Sequence, residues 1–420
     1  MTTHLPYQIS HVYLHESAKM PALNLQQGNY LVFWWKTIPL GDLYLEPGVT
    51  LSEADYFKKM GQAILPTLQQ YAKSTSERNQ NLQATQMLEK LKNPESWLPE
   101  ALKRKPTEKI PKEVPVSVII CTRNRPGSLK QCLEAFQKML CRPQEIIIIE
   151  NARENDESEA VTRLYPNVKY YQEPIPGLSY ARNTGIKKAT CPIIAFTDDD
   201  VRIAENWVHQ VWQTFQDPKT MAMTGLVIAS ELQSEAQLIF EKHWSFNRGY
   251  TDKIFDIEYF RKTIAKGPPV WNIGAGANMA FRKSIFEETG LFDERLGAGA
   301  SGCNEDSEMW YRILKNGHTI HYNPRAIVFH EHRRELTALK KQIFSYMRGH
   351  AAAALIQQEQ FRKAGYARHL SHTLLVAYSK AILKGFPQYQ AQYCTLWVQI
   401  KGLIAGIVYY YQNRKKTELR

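Results

Sequence analysis

Residues 192–200 read PIIAFTDDD, an apolar run that ends in the three consecutive carboxylates Asp198, Asp199 and Asp200. Like charges repel one another, and burying carboxylates without partners is costly. One interpretation is that a strand delivers the cluster to a ligand, because Mg²⁺ and Mn²⁺ prefer oxygen ligands. The other is a solvated acidic turn or the start of a helix, where Asp is also favoured. The rest of the chain has to decide between them.

Composition limits the class of protein. A chain of 420 residues is long enough for two or three domains, and its net charge of +12 favours anionic partners. The six cysteines contain no CxxC pair, which indicates reduced thiols. The start of the chain does not resemble a signal peptide, and no run of 18 apolar residues occurs. These features predict a cytoplasmic protein without a membrane span.

Strand and helix patterns alternate from Val116 onward. Apolar runs at 116–121, 145–150 and 168–171 are each followed by a helical pattern, and a fourth run leads into the acidic cluster. This alternation predicts an α/β fold with a mostly parallel, Rossmann-like sheet and helices on both faces. Ligands of such sheets bind beyond the carboxyl ends of the strands, where the acidic cluster must lie.

The flanking regions differ from this α/β segment. We expect an accessory α+β region at 1–100, a linker rich in proline and charge at 101–115, the α/β domain at 116–335 and a helical region at 336–420. The helical region is basic and partly apolar. Packing on the α/β domain is favoured over membrane contact, although the two are compatible.

Six segments of the α/β domain, taken in order, resemble a family-2 inverting glycosyltransferase with a GT-A fold. They are VSVIICTRNRPGSLKQCLEAF, EIIIIENARENDES, PGLSYARNTGIKKA, IIAFTDDDV, GAGANMAFRKSIFEETGLFDERLGAG and NEDSEMWYRILKNGHTIHYNPRAIVFHEHRR. The resemblance covers roughly 115–335. It implies a transferase that moves a sugar from a nucleotide-diphosphate donor to an acceptor.

The resemblance assigns the acidic cluster to the donor. A DxD-like motif would place Mn²⁺ or Mg²⁺ on Asp198 and Asp200, with Asp199 retained as a further donor contact. The metal would neutralise the departing diphosphate as a Lewis acid. His330, two residues before His332, falls where related enzymes place a third metal ligand; a structural role for it is equally open.

Other donor contacts follow by the same resemblance. The residues expected along the nucleotide are Thr122, Asn124, Arg125, Glu150, Asp156 and Arg182. The family usually has Asp at the position of Glu150, so the base preference is open, with UDP favoured. Asp156 could equally cap a helix, and Arg182 could equally form a buried structural ion pair.

An inverting transfer needs a base that takes the proton of the acceptor hydroxyl. The family's ED motif places this role on Asp306, with Glu305 as the second choice, and a helix-capping pair as the structural alternative. The residues expected to line the sugar and acceptor pocket are Trp271, Gly274, Gly276, Asn278 and Trp310. Either tryptophan could instead belong to the core.

The expected acceptor is a glycan or a lipid-linked glycan in polysaccharide or glycoconjugate synthesis, with peripheral contact to the inner face of the membrane and no nucleic-acid partner.

Two other classes remain as alternatives. A sugar-phosphate nucleotidyltransferase would need a glycine-rich phosphate loop, which is absent after Val116. A catalytically inactive binding module would not need both acidic motifs. A processive synthase would carry membrane helices and a QxxRW-type motif, and neither is present.

Overall fold

The computed structural model describes residues 6–74, 102 and 110–414, and the strands in these parts form two sheets. The small sheet contains β1 (Tyr7–Tyr13), β2 (Gly28–Trp35) and β3 (Ile38–Leu45). The large sheet contains β4 (Glu113–Thr122), β5 (Arg142–Asn151), β6 (Val168–Glu173), β7 (Ile193–Asp198), β8 (Val201–Ile203), β9 (Thr220–Ala229), β10 (Lys253–Phe255), β11 (Asn278–Arg282) and β12 (Thr319–His330).

Helices cover both faces of the large sheet and make up the end of the chain. Those before and within the sheet region are α1 (Glu53–Ser74), α2 (Pro126–Gln137), α3 (Glu157–Thr162), α4 (Leu178–Lys188), α5 (Trp207–Thr214), α6 (Glu235–Trp244), α7 (Ile257–Thr263), α8 (Ile285–Thr289) and α9 (Glu305–Lys315). Those that follow are α10 (Leu336–Gln360), α11 (Tyr366–Arg368), α12 (Leu374–Gly385) and α13 (Leu396–Asn413).

The order of the large sheet is β10-β12-β9-β11-β7-β4-β5-β6, and β8 pairs with β12. Strands β7, β4, β5 and β6 are parallel, as the alternating pattern predicts. Strand β11 runs antiparallel between β7 and β9, which makes the sheet mixed. The predicted α/β class is confirmed. One boundary differs, because β4 begins at Glu113 inside the expected linker and pairs with Arg142 there.

The N-terminal sheet packs its apolar side chains against α1, with Ile64 and Leu68 of that helix fully buried. It also joins the large domain, since the backbone of Tyr7 forms a bridge with Leu232. The expected α+β region extends to residue 100, and α1 spans Glu53–Ser74 within it. The structure describes this region to residue 74, and the remainder lies outside the described residues, as does most of the expected linker.

The C-terminal helices pack on the α/β domain and on each other. Gly402 and Gly406 of α13 allow a close approach to α10, because a Cβ at these positions would lie 2.7 Å from the carbonyl oxygen of Phe344 and 2.2 Å from that of Arg348. Packing on the domain was the favoured interpretation of this region. Of the helices in the described parts of the chain, none has both the length and the hydropathy of a membrane span.

Candidate functional site

A cavity of about 720 Å³ opens at the carboxyl ends of β4, β5 and β7. Parallel strands end at the same edge of a sheet, so Thr122, Asn151 and Asp198 meet there. Twelve residues predicted for the site line this cavity: Thr122, Arg125, Arg182, Asp198, Asp199, Asp200, Trp271, Gly274, Gly276, Glu305, Asp306 and His330. The structure therefore brings most of the predicted residues together at one cavity, and their roles remain predictions.

The three carboxylates of the acidic cluster have different surroundings. Asp199 is buried, accepts a hydrogen bond of 2.6 Å from Thr122 Oγ1 and lies 3.2 Å from Arg125 Nη1. The same Nη1 lies 3.2 Å from Asp200 Oδ2. Asp198, with its side chain 37% exposed, lies 3.9 Å from Arg182 Nη2. Asp199 is thus held by the protein, whereas Asp198 and Asp200 keep oxygens toward the cavity.

The carboxylates of the acidic cluster repel one another, and a bound cation would reduce this repulsion. Burial raises the pKa of Asp198 to about 7; Arg182 opposes this rise, and the charges of Asp200 and Asp199 add to it. Burial also raises the pKa of Asp199, although the Thr122 hydrogen bond acts in the opposite direction. Like charges that disfavour ionisation are typical of sites that bind a positive ligand.

Arg182 joins the acidic cluster to the second acidic motif. It extends from α4, is 3% exposed, and donates from Nη1 to Glu305 Oε1 while its Nη2 faces Asp198. Its guanidinium carbon lies over the rings of Phe196 and Phe292, at 5.8 and 5.5 Å. The buried ion pair that was the alternative for Arg182 is present with Glu305, and Asp198 is a second, more distant partner; contact of Arg182 with a nucleotide remains a prediction.

Glu305 and Asp306 begin α9 but differ in exposure. Glu305 is buried and bonded to Arg182, whereas Asp306 is half-buried at the cavity wall. Burial raises the pKa of Asp306 to about 6, with the neighbouring charge of Glu305 adding to the rise. Asn304 precedes them with a φ of 71°. Asn tolerates this left-handed conformation, so the chain can turn into α9 at this position.

Gly276 lies between the two acidic motifs. A Cβ at this position would lie 2.8 Å from Arg182 Nη2 and 3.2 Å from Asp306 Oδ2. Gly274 has a different close neighbour, since a Cβ at this position would lie 2.4 Å from the side chain of Thr224. The glycines therefore allow the loop to approach the charged groups, as the sequence predicted for a ligand-lining segment.

Two residues predicted to line the pocket belong to the core. Trp310 is fully buried on the inner side of α9 and packs in the main core, so it is not available to stack on a sugar. Asn278 is also fully buried, where its amide donates to the carbonyl oxygens of Leu226 and Ala326 and accepts from Trp207. Both predictions are wrong: Trp310 lies on the apolar side of α9 with Met309 and Ile313, and Asn278 begins the buried strand β11.

Three predicted nucleotide contacts lie off the cavity wall. Glu150 is 1% exposed and accepts a hydrogen bond from the Asn124 backbone. Asn124 has a φ of 53° and accepts from the backbone of Glu154 through its side chain. Asp156 is exposed and pairs with Arg153 at the start of α3. These three side chains form hydrogen bonds and ion pairs within the loops that follow β4 and β5. Their direct contact with a base remains a prediction.

Several residues that line the cavity were not predicted. The aromatic and basic side chains among them are Arg123, Trp244, Phe246, Arg248, Arg333, Tyr346, His350, His369 and Tyr378. Arg248 is bonded to the carbonyl oxygens of Ser245 and Trp271. The local signal for them was an arginine close to aromatic residues: Trp244 ends α6, and Phe246 and Arg248 follow outside any strand or helix.

The donor set fits a divalent cation that also binds substrate oxygens. Asp198 and Asp200 supply carboxylates, which suit Mg²⁺ or Mn²⁺. His330 ends β12, where it pairs with Val201 of β8 and so lies beside Asp200. Within residues 6–74, 102 and 110–414, however, no three His, Cys, Asp or Glu side chains converge as a complete metal-ligand group. Such an incomplete set agrees with ions that take phosphate oxygens and water as further ligands.

Comparisons with known proteins match the same part of the chain. Residues 117–290 match the model of glycosyl transferase family 2. A pre-mycofactocin glycosyltransferase of Mycobacterium tuberculosis is 25% identical over 224 residues, which cover 53% of this chain and 43% of the relative. The uncharacterized glycosyltransferase YwdF of Bacillus subtilis is 35% identical over 182 residues, 42% of this chain and 62% of that protein. The chain thus spans about half the length of these relatives.

Among solved structures, the mannosyltransferase PcManGT from Pyrobaculum calidifontis, in complex with GDP-Man and Mn²⁺, gives a TM-score of 0.45 at 15% identity over 73% of this chain and 91% of that chain. The family match and the sheet order confirm the predicted GT-A fold class. The matched segment includes the acidic cluster and Gly276, and it ends before Asp306. Residues 117–290 therefore resemble the members of glycosyl transferase family 2.

Proposed function

We propose that the protein is an inverting glycosyltransferase that takes a sugar from a nucleotide-diphosphate donor, with a UDP-sugar favoured. The observation that carries this proposal is the single cavity in which Arg182 links the acidic cluster to the pair Glu305 and Asp306. A cavity that joins a phosphate-binding end to a basic carboxylate has the two parts that such a transfer needs.

The donor would bind at the acidic cluster. Asp198 and Asp200 would hold Mn²⁺ or Mg²⁺, which neutralises charge on the diphosphate when bound. Five arginines line the cavity and favour the same anionic ligand: Arg123, Arg125, Arg182, Arg248 and Arg333. Thr122 and Arg125 hold Asp199 in place, so the cluster keeps its shape while its outer carboxylates exchange partners.

Asp306 would act as the base. It lines the cavity with an accessible carboxylate, and its raised pKa, about 6, lies close to the working range of a general base. Glu305 is the weaker candidate, because its Oε1 is occupied by Arg182 and it is buried. Its role would be to position Arg182 between the donor and the base.

A panel of nucleotide sugars with Mn²⁺ tests the proposed activity. We expect release of UDP, or of the nucleotide of the preferred donor, that depends on Mn²⁺ and on a glycan or lipid-linked acceptor. Release of pyrophosphate from a nucleoside triphosphate and a sugar phosphate would instead identify a nucleotidyltransferase. Binding without turnover of any donor would identify an inactive binding module.

The C-terminal helices would contact an anionic membrane surface, where lipid-linked acceptors reside. Large apolar side chains are exposed along this region: Leu375, Val376, Leu383, Phe386, Trp397, Ile404, Val408 and Tyr411. Lys384 and Lys401 lie among them, and mixed apolar and basic surfaces favour anionic bilayers. The location would then be the inner face of the cell membrane.

Sedimentation with anionic vesicles tests the membrane contact. The double change Leu383→Asp and Phe386→Asp should lower vesicle binding, because both side chains are more than 70% exposed and make few contacts to lose within the fold. Leu164→Asp is the matched control, since Leu164 is 67% exposed but belongs to the α/β domain and lies outside the C-terminal helices. Equal binding of all three proteins would contradict the proposal.

A further inference from the structure

A chain of polar groups, buried at Glu241 and His332 and half-buried at its ends, connects the N-terminal sheet with the cavity. Tyr44 of β3 donates to Glu241 Oε1 at 3.1 Å, and Ser245 Oγ donates to the same oxygen at 3.1 Å. The other oxygen, Oε2, lies 2.9 Å from His332 Nε2. His332 Nδ1 in turn lies 3.1 Å from Nδ1 of His330, which lines the cavity.

The direction of these hydrogen bonds follows from the chemistry of the groups. A carboxylate accepts hydrogen bonds, so His332 donates from Nε2 and, as a neutral ring, keeps a lone pair on Nδ1. That lone pair requires a proton on the facing Nδ1 of His330. Neutral His330 then has no proton on Nε2. In the described parts of the chain, no hydrogen bond from another residue reaches this Nε2.

Packing holds both rings in these orientations. The side chains of His332 and Glu241 are 1% and 3% exposed. Phe240 lies 4.5 Å from the ring of His332, and Phe246 meets the ring of His330 edge-on at 5.4 Å. A rotated ring would leave a buried donor or acceptor without a partner, which is unfavourable. The arrangement is therefore fixed from Glu241 outward.

We propose that Glu241, acting through His332, keeps the proton of His330 on Nδ1 and presents the lone pair of Nε2 to the divalent cation of the donor site. The proposal rests on the proposed function for the cation and goes beyond it by assigning positioning roles to Glu241 and His332. It also gives the N-terminal sheet a part in the site, because Tyr44 anchors Glu241 from outside the segment that matches the family.

Nitrogen NMR of the histidine rings measures the tautomer without any transfer reaction. The full chain, labelled with ¹⁵N-histidine, would be recorded at pH 8, above the ordinary imidazole pKa of about 6.5, with no added metal. His330→Gln assigns the signals of His330 by their loss. We expect a protonated Nδ1 and an unprotonated Nε2 for His330. A protonated Nε2 in the wild-type chain would overturn the proposal.

Glu241→Gln tests the source of the tautomer. The amide is of similar size but can donate to His332 Nε2, which reverses the direction of both hydrogen bonds. We expect a proton on His330 Nε2 in part or all of the population. Mn²⁺-dependent UDP affinity, measured by calorimetry, should fall about 10- to 100-fold, the usual effect of removing a group that orients a metal ligand. UDP affinity without Mn²⁺ should stay unchanged.

Glu235→Gln is the matched control, because Glu235 is exposed on the same helix, α6. It should retain the wild-type tautomer and affinity. An unchanged tautomer and affinity in Glu241→Gln would overturn the positioning role. These outcomes are separable from failure of the proposed function: a chain that binds UDP with Mn²⁺ but transfers no sugar would contradict the activity and leave the tautomer assignment intact.

Discussion

The acidic cluster at the end of β7 and the acidic pair at the start of α9 have similar residues but different surroundings. In the cluster, Asp199 is held by Thr122 and Arg125, and the carboxylates on either side of it face the cavity. In the pair, Glu305 is held by Arg182, and Asp306 has the accessible carboxylate. Each motif thus has one carboxylate that other side chains of the protein hold in place and at least one that faces the cavity.

This difference separates two roles that sequence alone assigns only by resemblance. Two outward carboxylates at one strand end suit a cation and a diphosphate, whereas a single outward carboxylate, beside a neighbour that Arg182 binds, suits proton transfer. Arg182 prevents the two negative motifs from repelling each other across the cavity. We therefore expect substitutions in the acidic cluster and substitutions in the acidic pair to have different effects on donor binding and on transfer.

The largest effect is expected for Asp306→Asn. Loss of a general base lowers kcat about 10²- to 10⁴-fold, because the acceptor hydroxyl keeps its proton. Donor binding and stability should be close to wild type, since the substitution also removes repulsion with Glu305. Single-turnover transfer and UDP binding by calorimetry measure the two properties. Unchanged transfer would refute the role of Asp306, and lost UDP binding would show that the two motifs are not separable.

Asp198→Asn should give the complementary result. We expect Mn²⁺-dependent UDP affinity to fall about 10- to 100-fold, because one of the two outward carboxylates is removed. Asn also removes a carboxylate that burial and its neighbours hold at a raised pKa, so the fold should be retained. Binding of UDP measured with and without Mn²⁺ checks this. Equal affinities of the variant and the wild type would remove Asp198 from the donor site.

Gly276→Ala tests the close packing of the loop against Arg182 and Asp306, between the two motifs. The added Cβ would displace Arg182 or Asp306, and misplacement of about 1 Å can cost up to roughly 100-fold in rate. We expect a loss of about tenfold or more in kcat. Gly127→Ala is the control, because a Cβ there has no atom within 4 Å. Equal rates of both variants would contradict the close packing of the two motifs.

The smallest effect is the pH dependence. With saturating donor and Mn²⁺, kcat should fall below pH 6, where Asp306 becomes protonated, and reach about a tenth of its plateau near pH 5. The sign follows from the role, since a base must be ionised to accept a proton. Rates of the wild type from pH 5 to 8 would show this limb. A limb of the same position in the residual activity of Asp306→Asn would assign it to another group.

Local patterns predicted the parts of the site that lie at strand ends. The apolar runs before Thr122 and Asp198 predicted both the strands and the edge at which they meet, because a strand buried on both faces appears in the sequence as a continuous apolar run. Trp310 shows where resemblance misled: it lies on the apolar side of α9 with Met309, Ile313 and Leu314, all fully buried, so the helical spacing favoured the core and only the resemblance favoured the pocket.

Long-range partners could not be predicted in this way. Glu241 and His332 are 91 residues apart, and Tyr44 is 197 residues from Glu241. Arg182 and Glu305 are separated by 123 residues. Each of these side chains has an ordinary local setting, and their pairing depends on how β12, α6 and the N-terminal sheet pack. The sequence contained the residue types but no signal of their contact.

The most direct test is an anomalous difference map of crystals soaked with Mn²⁺ and UDP, recorded at the manganese absorption edge. The account predicts one strong peak between the carboxylates of Asp198 and Asp200, on the side of His330, with the UDP diphosphate bound to it. It also predicts that Asp306 faces the open end of the cavity without contact to the metal. A peak held by Glu305 and Asp306, or UDP bound away from the acidic cluster, would contradict the division of roles between the two motifs.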